Sequence, residues 1–175
     1  MRGRDLELHF TIGITLILIS LRWANWKEWQ RYYPTMIYIV AMSLLYKLFA
    51  LNQFHLWKFS SHDFFFNSHI AIHLCHTFLI NPLYTIIYLS NFPEESFLKK
   101  FIYIIKWVTA LVIVELFLLS FDQINYFHGW KLIWTIFFDF SMFSLLRIHF
   151  KNPLCGIILS IIFTLFYLYV FGYIS

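Results

Sequence analysis

The sequence predicts an all-α fold: an integral membrane bundle of six transmembrane helices with a short interfacial tryptophan-rich segment. Two observations carry this prediction. Of 175 residues, 61% are hydrophobic and only 13% charged, with a mean hydropathy of +0.69, which is more apolar surface than a soluble domain of this length hides in one core. The apolar residues also fall into runs long enough to span a bilayer, separated by short stretches that gather charges, tryptophans and prolines. The whole chain, 1–175, reads as one transmembrane domain. A formal net charge of +4 and a pI near 9.1 suggest nucleic acid in a soluble chain. Here the basic residues sit in clusters between apolar runs, a pattern that sets topology. The expected partners are therefore the lipid bilayer and other membrane proteins, with no nucleic acid.

The first span is expected over 6–21, apolar except for Glu7 and His9 near its start. No small-residue cleavage site follows it, so it is expected to persist rather than act as a removable signal. Its last turns lead into WANWKEWQRYY, where Trp23, Trp26 and Trp29 recur every three residues among Arg22, Lys27, Glu28 and Arg31, the composition of an interfacial anchor. Pro34 is expected to end that segment and 35–51 to form the second span, with Lys47 towards its far end. Residues 52–63 read as an aromatic, polar turn.

The third span, 64–89, is expected to start near Asp63 behind a Ser60 or Ser61 cap and to kink at Pro82, which removes an amide donor and clashes with the preceding turn. Residues 90–100 are the clearest loop, and the fourth span follows at 101–121 with Lys106 and Glu115 embedded. After a short turn through Asp122 and Asn125, the fifth span covers 130–146. Its apolar run is broken midway by Asp139 and closed by Arg147, His149 and Lys151. Asn152-Pro153 then opens the sixth span, 154–173.

With six spans, one side carries Arg22, Lys27, Arg31, Lys99, Lys100, Arg147 and Lys151, and the other only Arg2, Arg4, Lys58 and Lys131. The positive-inside rule then places both termini outside the cytoplasm. Cys75 and Cys155 fall within predicted spans and read as small buried hydrophobes. No sequence motif relates the two halves of the chain as a repeat.

Ionisable residues inside a bilayer are costly and mark a protein interior or an aqueous cavity. At ~1.5 Å per residue from the cytoplasmic end, Lys106 lies at about 8 Å, Asp139 at about 12 Å, Lys47 at about 18 Å and Glu115 at about 21 Å. These depths suggest two pairs, Lys106 with Asp139 and Lys47 with Glu115. The alternative is that the lysines snorkel while the acids are protonated or bonded to hydroxyls. His69, His73 and His76 are spaced i, i+4, i+7, within about 60° around a helix, and so form one stripe. Such a stripe suits polar packing, proton handling or a metal; which metal, if any, the spacing does not say. No HExxH, GxSxG, phosphate loop or paired-Asp motif is present, so neither a cofactor nor a catalytic set is expected.

Two stretches, WKEWQRYYPTMIY at 26–38 and the run with Gly129-Trp130, Trp134, Phe138-Asp139, Met142-Phe143, Leu146-Arg147, His149 and Pro153, carry a resemblance. Together with Leu56-Trp57 and Ser90 to Pro93, they resemble a family of small polytopic membrane proteins from spore-forming Gram-positive bacteria that has no assigned function. The resemblance implies a bacterial cell membrane and a shared fold, and it puts any common role on Asp139, Arg147 and His149, since Lys47, His73 and His76 depart from the pattern. The expected function is a non-enzymatic membrane component or subunit. The alternative is a small proton or cation transporter using Asp139 and the histidine stripe.

Overall fold

The computed structural model describes residues 8–51, 55–59 and 69–174, and the side chains at 8, 9, 50, 51 and 69 fall outside the description. The described chain is mostly helical. α1 (Leu8–Trp23) is joined by a 3₁₀ turn (Trp26–Glu28) to α2 (Trp29–Leu51). α3 (His69–Cys75) runs through a π-helical turn (His76–Ile80) into α4 (Asn81–Ser90). α5 (Phe97–Ser120), α6 (Leu132–Lys151) and α7 (Pro153–Val170) complete the bundle. Among the described residues, four helices are long and apolar enough to cross a membrane: Ile70–Ser90, Phe97–Ser120, Leu132–Lys151 and Pro153–Val170. α1 is a shorter apolar helix, and α2 is long but richer in polar residues.

Several boundaries differ from the sequence expectation. α2 runs through Pro34 instead of starting after it, because a proline only five residues past the helix start removes one amide bond near the frayed end. α5 starts four residues before the expected 101, because Ser96 Oγ accepts the Lys99 amide at 3.4 Å and caps the helix inside the expected loop. α6 continues to Lys151, past the expected end at 146, and α7 begins at Pro153 with Asn152 Oδ1 accepting the Cys155 amide at 3.2 Å. The expected helix start near Asp63 and the Ser60 or Ser61 cap lie outside the described residues.

Pro82 leads to a specific distortion. The turn before it widens to i→i+5 bonding, with the Asn81 amide on the His76 carbonyl, and this re-pairs backbone next to the position where proline has no donor. An all-α fold also misses one piece: β1 (Trp57–Phe59) and β2 (Ile124–Tyr126) pair antiparallel, Trp57 opposite Tyr126. Two three-residue strands far apart in sequence carry no readable period. They tie the α2–α3 and α5–α6 connections into a cap at one end of the bundle.

α2 lies against α4 and α6, α5 against α6, and α6 against α7, so α6 is central. The core holds Tyr88, Ile86, Phe143 and Leu146, all fully buried. Tyr88 Oη donates to the Phe143 carbonyl at 2.9 Å, and Tyr103 Oη donates to the Tyr88 carbonyl at 3.1 Å, which link α4, α5 and α6. Trp23, Trp26 and Trp29 are all exposed, and Trp26 Nε1 donates to the Ser20 carbonyl at 3.0 Å.

Candidate functional site

At the end of the bundle opposite the cap, Arg147 is held by its surroundings. It donates to Glu94, lies 4.4 Å over the Phe92 ring and 5.5 Å from the Phe150 ring, and its side chain is only 12% exposed. Lys151 Nζ reaches the same Glu94 oxygen at 3.2 Å. The hydrogen bond from Arg147, followed by that from Lys151, holds the Glu94 carboxyl down at about 2. His149, two residues on and so on the opposite face of α6, is buried; its Nδ1 is 3.0 Å from Thr35 Oγ1 and its ring stacks on Tyr38 at 4.0 Å. Arg147 and His149 thus lie on one end of one helix but serve different neighbours.

Midway along α6, Asp139 is 6% exposed and its Oδ2 has no hydrogen-bond partner. The expected partner does not reach it. Lys106 is exposed on α5, whose inward stripe is Tyr103, Ile104, Trp107, Val108 and Leu111, so the lysine points away from the core. Glu115 is met by hydroxyls instead of Lys47: it accepts from Tyr126 and, at 2.8 Å, from Thr135 Oγ1, which itself accepts from Trp130 Nε1 at 2.9 Å. Lys47 is half-buried and faces the cap end, beside Lys58. Of the two pairings read from depth, neither forms.

The histidine stripe is described in part. The His69 side chain lies outside the description, His73 Nδ1 is 3.1 Å from Thr77 Oγ1, and His76 stacks on Phe59 at 4.5 Å. Among the described residues, no group of three or more His, Cys, Asp or Glu side chains could hold a metal ion.

Both His73 and His76 line a cavity of about 250 Å³ beneath the cap, between α2, α3, α6 and α7. Half of its described lining residues carry rings: Tyr46 stacks on Trp57 at 4.3 Å, Trp57 meets Trp130 at 5.0 Å and Phe138 at 5.5 Å, and Tyr167 lies 5.8 Å from Phe138. Between the rings are hydroxyls. Tyr38 bonds Ser160, Tyr46 Oη donates to the Trp57 carbonyl at 3.0 Å, and Tyr84 Oη donates to Met142 Sδ at 3.3 Å. Tyr167 Oη is buried, closed off from the cavity space, and lies beside Ser141. Sequence reasoning overlooked these residues because tyrosine and serine in an apolar run carry no charge to mark them.

No protein-family model matches the chain, and no curated protein or solved structure matches it either. The four long apolar helices fit a membrane protein.

Proposed function

We propose that this chain is a multi-pass integral membrane protein of a bacterial cell membrane, akin to the small polytopic family it resembles, acting as a non-enzymatic component or subunit. All six expected spans cross, with α1 and α2 joining the four long apolar helices. The seven-residue basic side faces the cytoplasm and both termini lie outside. One observation carries the membrane reading: large aliphatic side chains cover the outer faces, including Leu18 at 63%, Ile113 at 61%, Ile133 at 65% and Leu154 at 68% exposure, as a bilayer requires and water does not tolerate at this extent. α2 is less apolar because Thr35, Tyr38, Ser43 and Tyr46 bond to other parts of the protein rather than face lipid. A component role is supported by the interior polar groups, most of which pair through hydroxyls, Glu115 with Tyr126 and Thr135 and His149 with Thr35, without a continuous row of charge.

A second reading, a proton or cation carrier using Asp139 and His69, His73 and His76, is favoured by the position of His73 and His76 on the cavity wall. Proteoliposomes separate the two. The component reading expects no flux of protons, sodium or potassium above empty vesicles; a pH-gradient-driven signal abolished by Asp139→Asn replaces it with the carrier reading.

A further inference from the structure

The geometry points to the cavity beneath the cap as a binding site for a small uncharged molecule of the carboxamide class, about one ring in size, held by the side chain of Asn81. Asn81 sits where the π-helical turn passes into α4. Its backbone is engaged: the amide donates to the His76 carbonyl, and the carbonyl accepts from Thr85 Oγ1 at 2.7 Å. Its neighbours on the same helical face, Thr77, Tyr84 and Thr85, are all buried, whereas Asn81 is half-buried and lines the cavity. What it exposes on that inward face therefore meets the cavity, and its carboxamide has no hydrogen-bond partner among the described residues.

Thr164 repeats the arrangement on α7. Ser160, Tyr167 and Leu168, one turn away on the same face, are buried, while Thr164 is half-buried and lines the same cavity, its hydroxyl without a partner among the described residues.

The rest of the wall sets the body of the ligand. Among the described lining residues there is no Asp, Glu, Lys or Arg, so an ionic occupant would lose its hydration without a counter-charge. Half of them carry rings, which favour a flat apolar body. The volume, about 250 Å³, exceeds the ~150 Å³ that houses one benzene and leaves room for a small polar head beside a ring. Water alone suits this space poorly. Several molecules would fill it, each needing two or more polar partners, yet the hydroxyls of Ser43, Tyr38 and Tyr84 are already bonded to Thr77, Ser160 and Met142. The Asn81 carboxamide presents N–H and C=O side by side, and a second carboxamide matches both. The ligand's entry from lipid rests on the membrane reading; the site itself does not.

The test uses the full chain in detergent and equilibrium dialysis with benzamide and with cumene, which has nearly the same shape and no polar head, each corrected for uptake by protein-free micelles. Saturable binding of benzamide, one per chain, is expected. Asn81→Leu, of similar volume, should weaken benzamide about 10-fold, the loss of two neutral hydrogen bonds, and leave cumene no weaker. Absence of saturable benzamide binding, as in a cavity that holds only water, overturns the inference. So does benzamide unaffected by Asn81→Leu, or an equal loss for cumene, which reports a change of shape instead of a lost head contact. Tighter binding of benzamidine or benzoate, the same shape carrying a charge, overturns the uncharged class. If Asn81→Leu does not fold, the wild-type protein still decides: acetophenone, in which a methyl replaces the amide nitrogen, should bind at least ~3-fold more weakly than benzamide, and equal or tighter binding overturns the inference. Because dialysis in detergent does not depend on topology, its failure is distinct from failure of the membrane reading.

Discussion

Gly156 on α7 lies against the backbone of His149 on α6: a Cβ added to it would come within 2.6 Å of both Cα and Cβ of His149 and 2.9 Å of its amide nitrogen. The absent side chain is what lets the two helices approach after the tight Asn152 connection. It also keeps the His149 ring between Thr35 and Tyr38.

Gly156→Ala should therefore destabilise the bundle by about 1 to 3 kcal/mol, because the atom it meets is backbone and neither helix can yield locally. Thermal unfolding in detergent measures this. A variant as stable as the wild type contradicts the close approach of α6 and α7.

The Glu94 cluster makes a pH prediction. Its carboxyl titrates near 2 in the folded protein against an ordinary 4.5, so the folded pKa is depressed. The stabilisation is full above about 4.5 and is lost as pH falls towards 2, since the unfolded chain takes up the proton first. Glu94 is exposed, so water screens much of the effect. Unfolding curves from pH 5 down should flatten in Glu94→Gln relative to wild type; parallel curves contradict the linkage.

Apolar length, charged breaks and the Asn152-Pro153 pair are local signals and made the helices legible, but α2 starts six residues and α5 four residues before the expected bounds and α6 ends five residues after, the Ser96 cap being one signal the apolar pattern hid. Partnership was not legible. Depth along an axis placed Lys106 and Asp139 at neighbouring levels, but whether they meet depends on the rotation of α5, which the stripe through Tyr103, Trp107 and Leu111 sets. The β1–β2 cap was hidden for a related reason: its two strands are held by pairing across a long stretch of chain rather than by any period of their own.

Rotation of Lys106 outwards predicts no energetic coupling to Asp139. In a double-mutant cycle with Lys106→Leu and Asp139→Leu, the effects should add to within about 0.5 kcal/mol. Coupling above about 1 kcal/mol would restore the ion pair.

Thr135 joins Trp130 to Glu115, so Thr135→Val leaves an indole donor and a carboxylate each short of one bond. A loss of about 1 to 3 kcal/mol is expected, with faster hydrogen exchange at Ile124 to Tyr126 as the cap loosens. Unchanged stability together with unchanged exchange contradicts a structural role for this relay.

The six-span membrane reading is tested most directly by the side on which the C terminus lies. A reporter fused after Ser175, with a single cysteine introduced at Glu95 in the loop before α5, gives two independent positions for accessibility mapping in cells. The reporter is expected outside, with the Glu95→Cys thiol labelled only from the cytoplasm. A C-terminal reporter in the cytoplasm contradicts it.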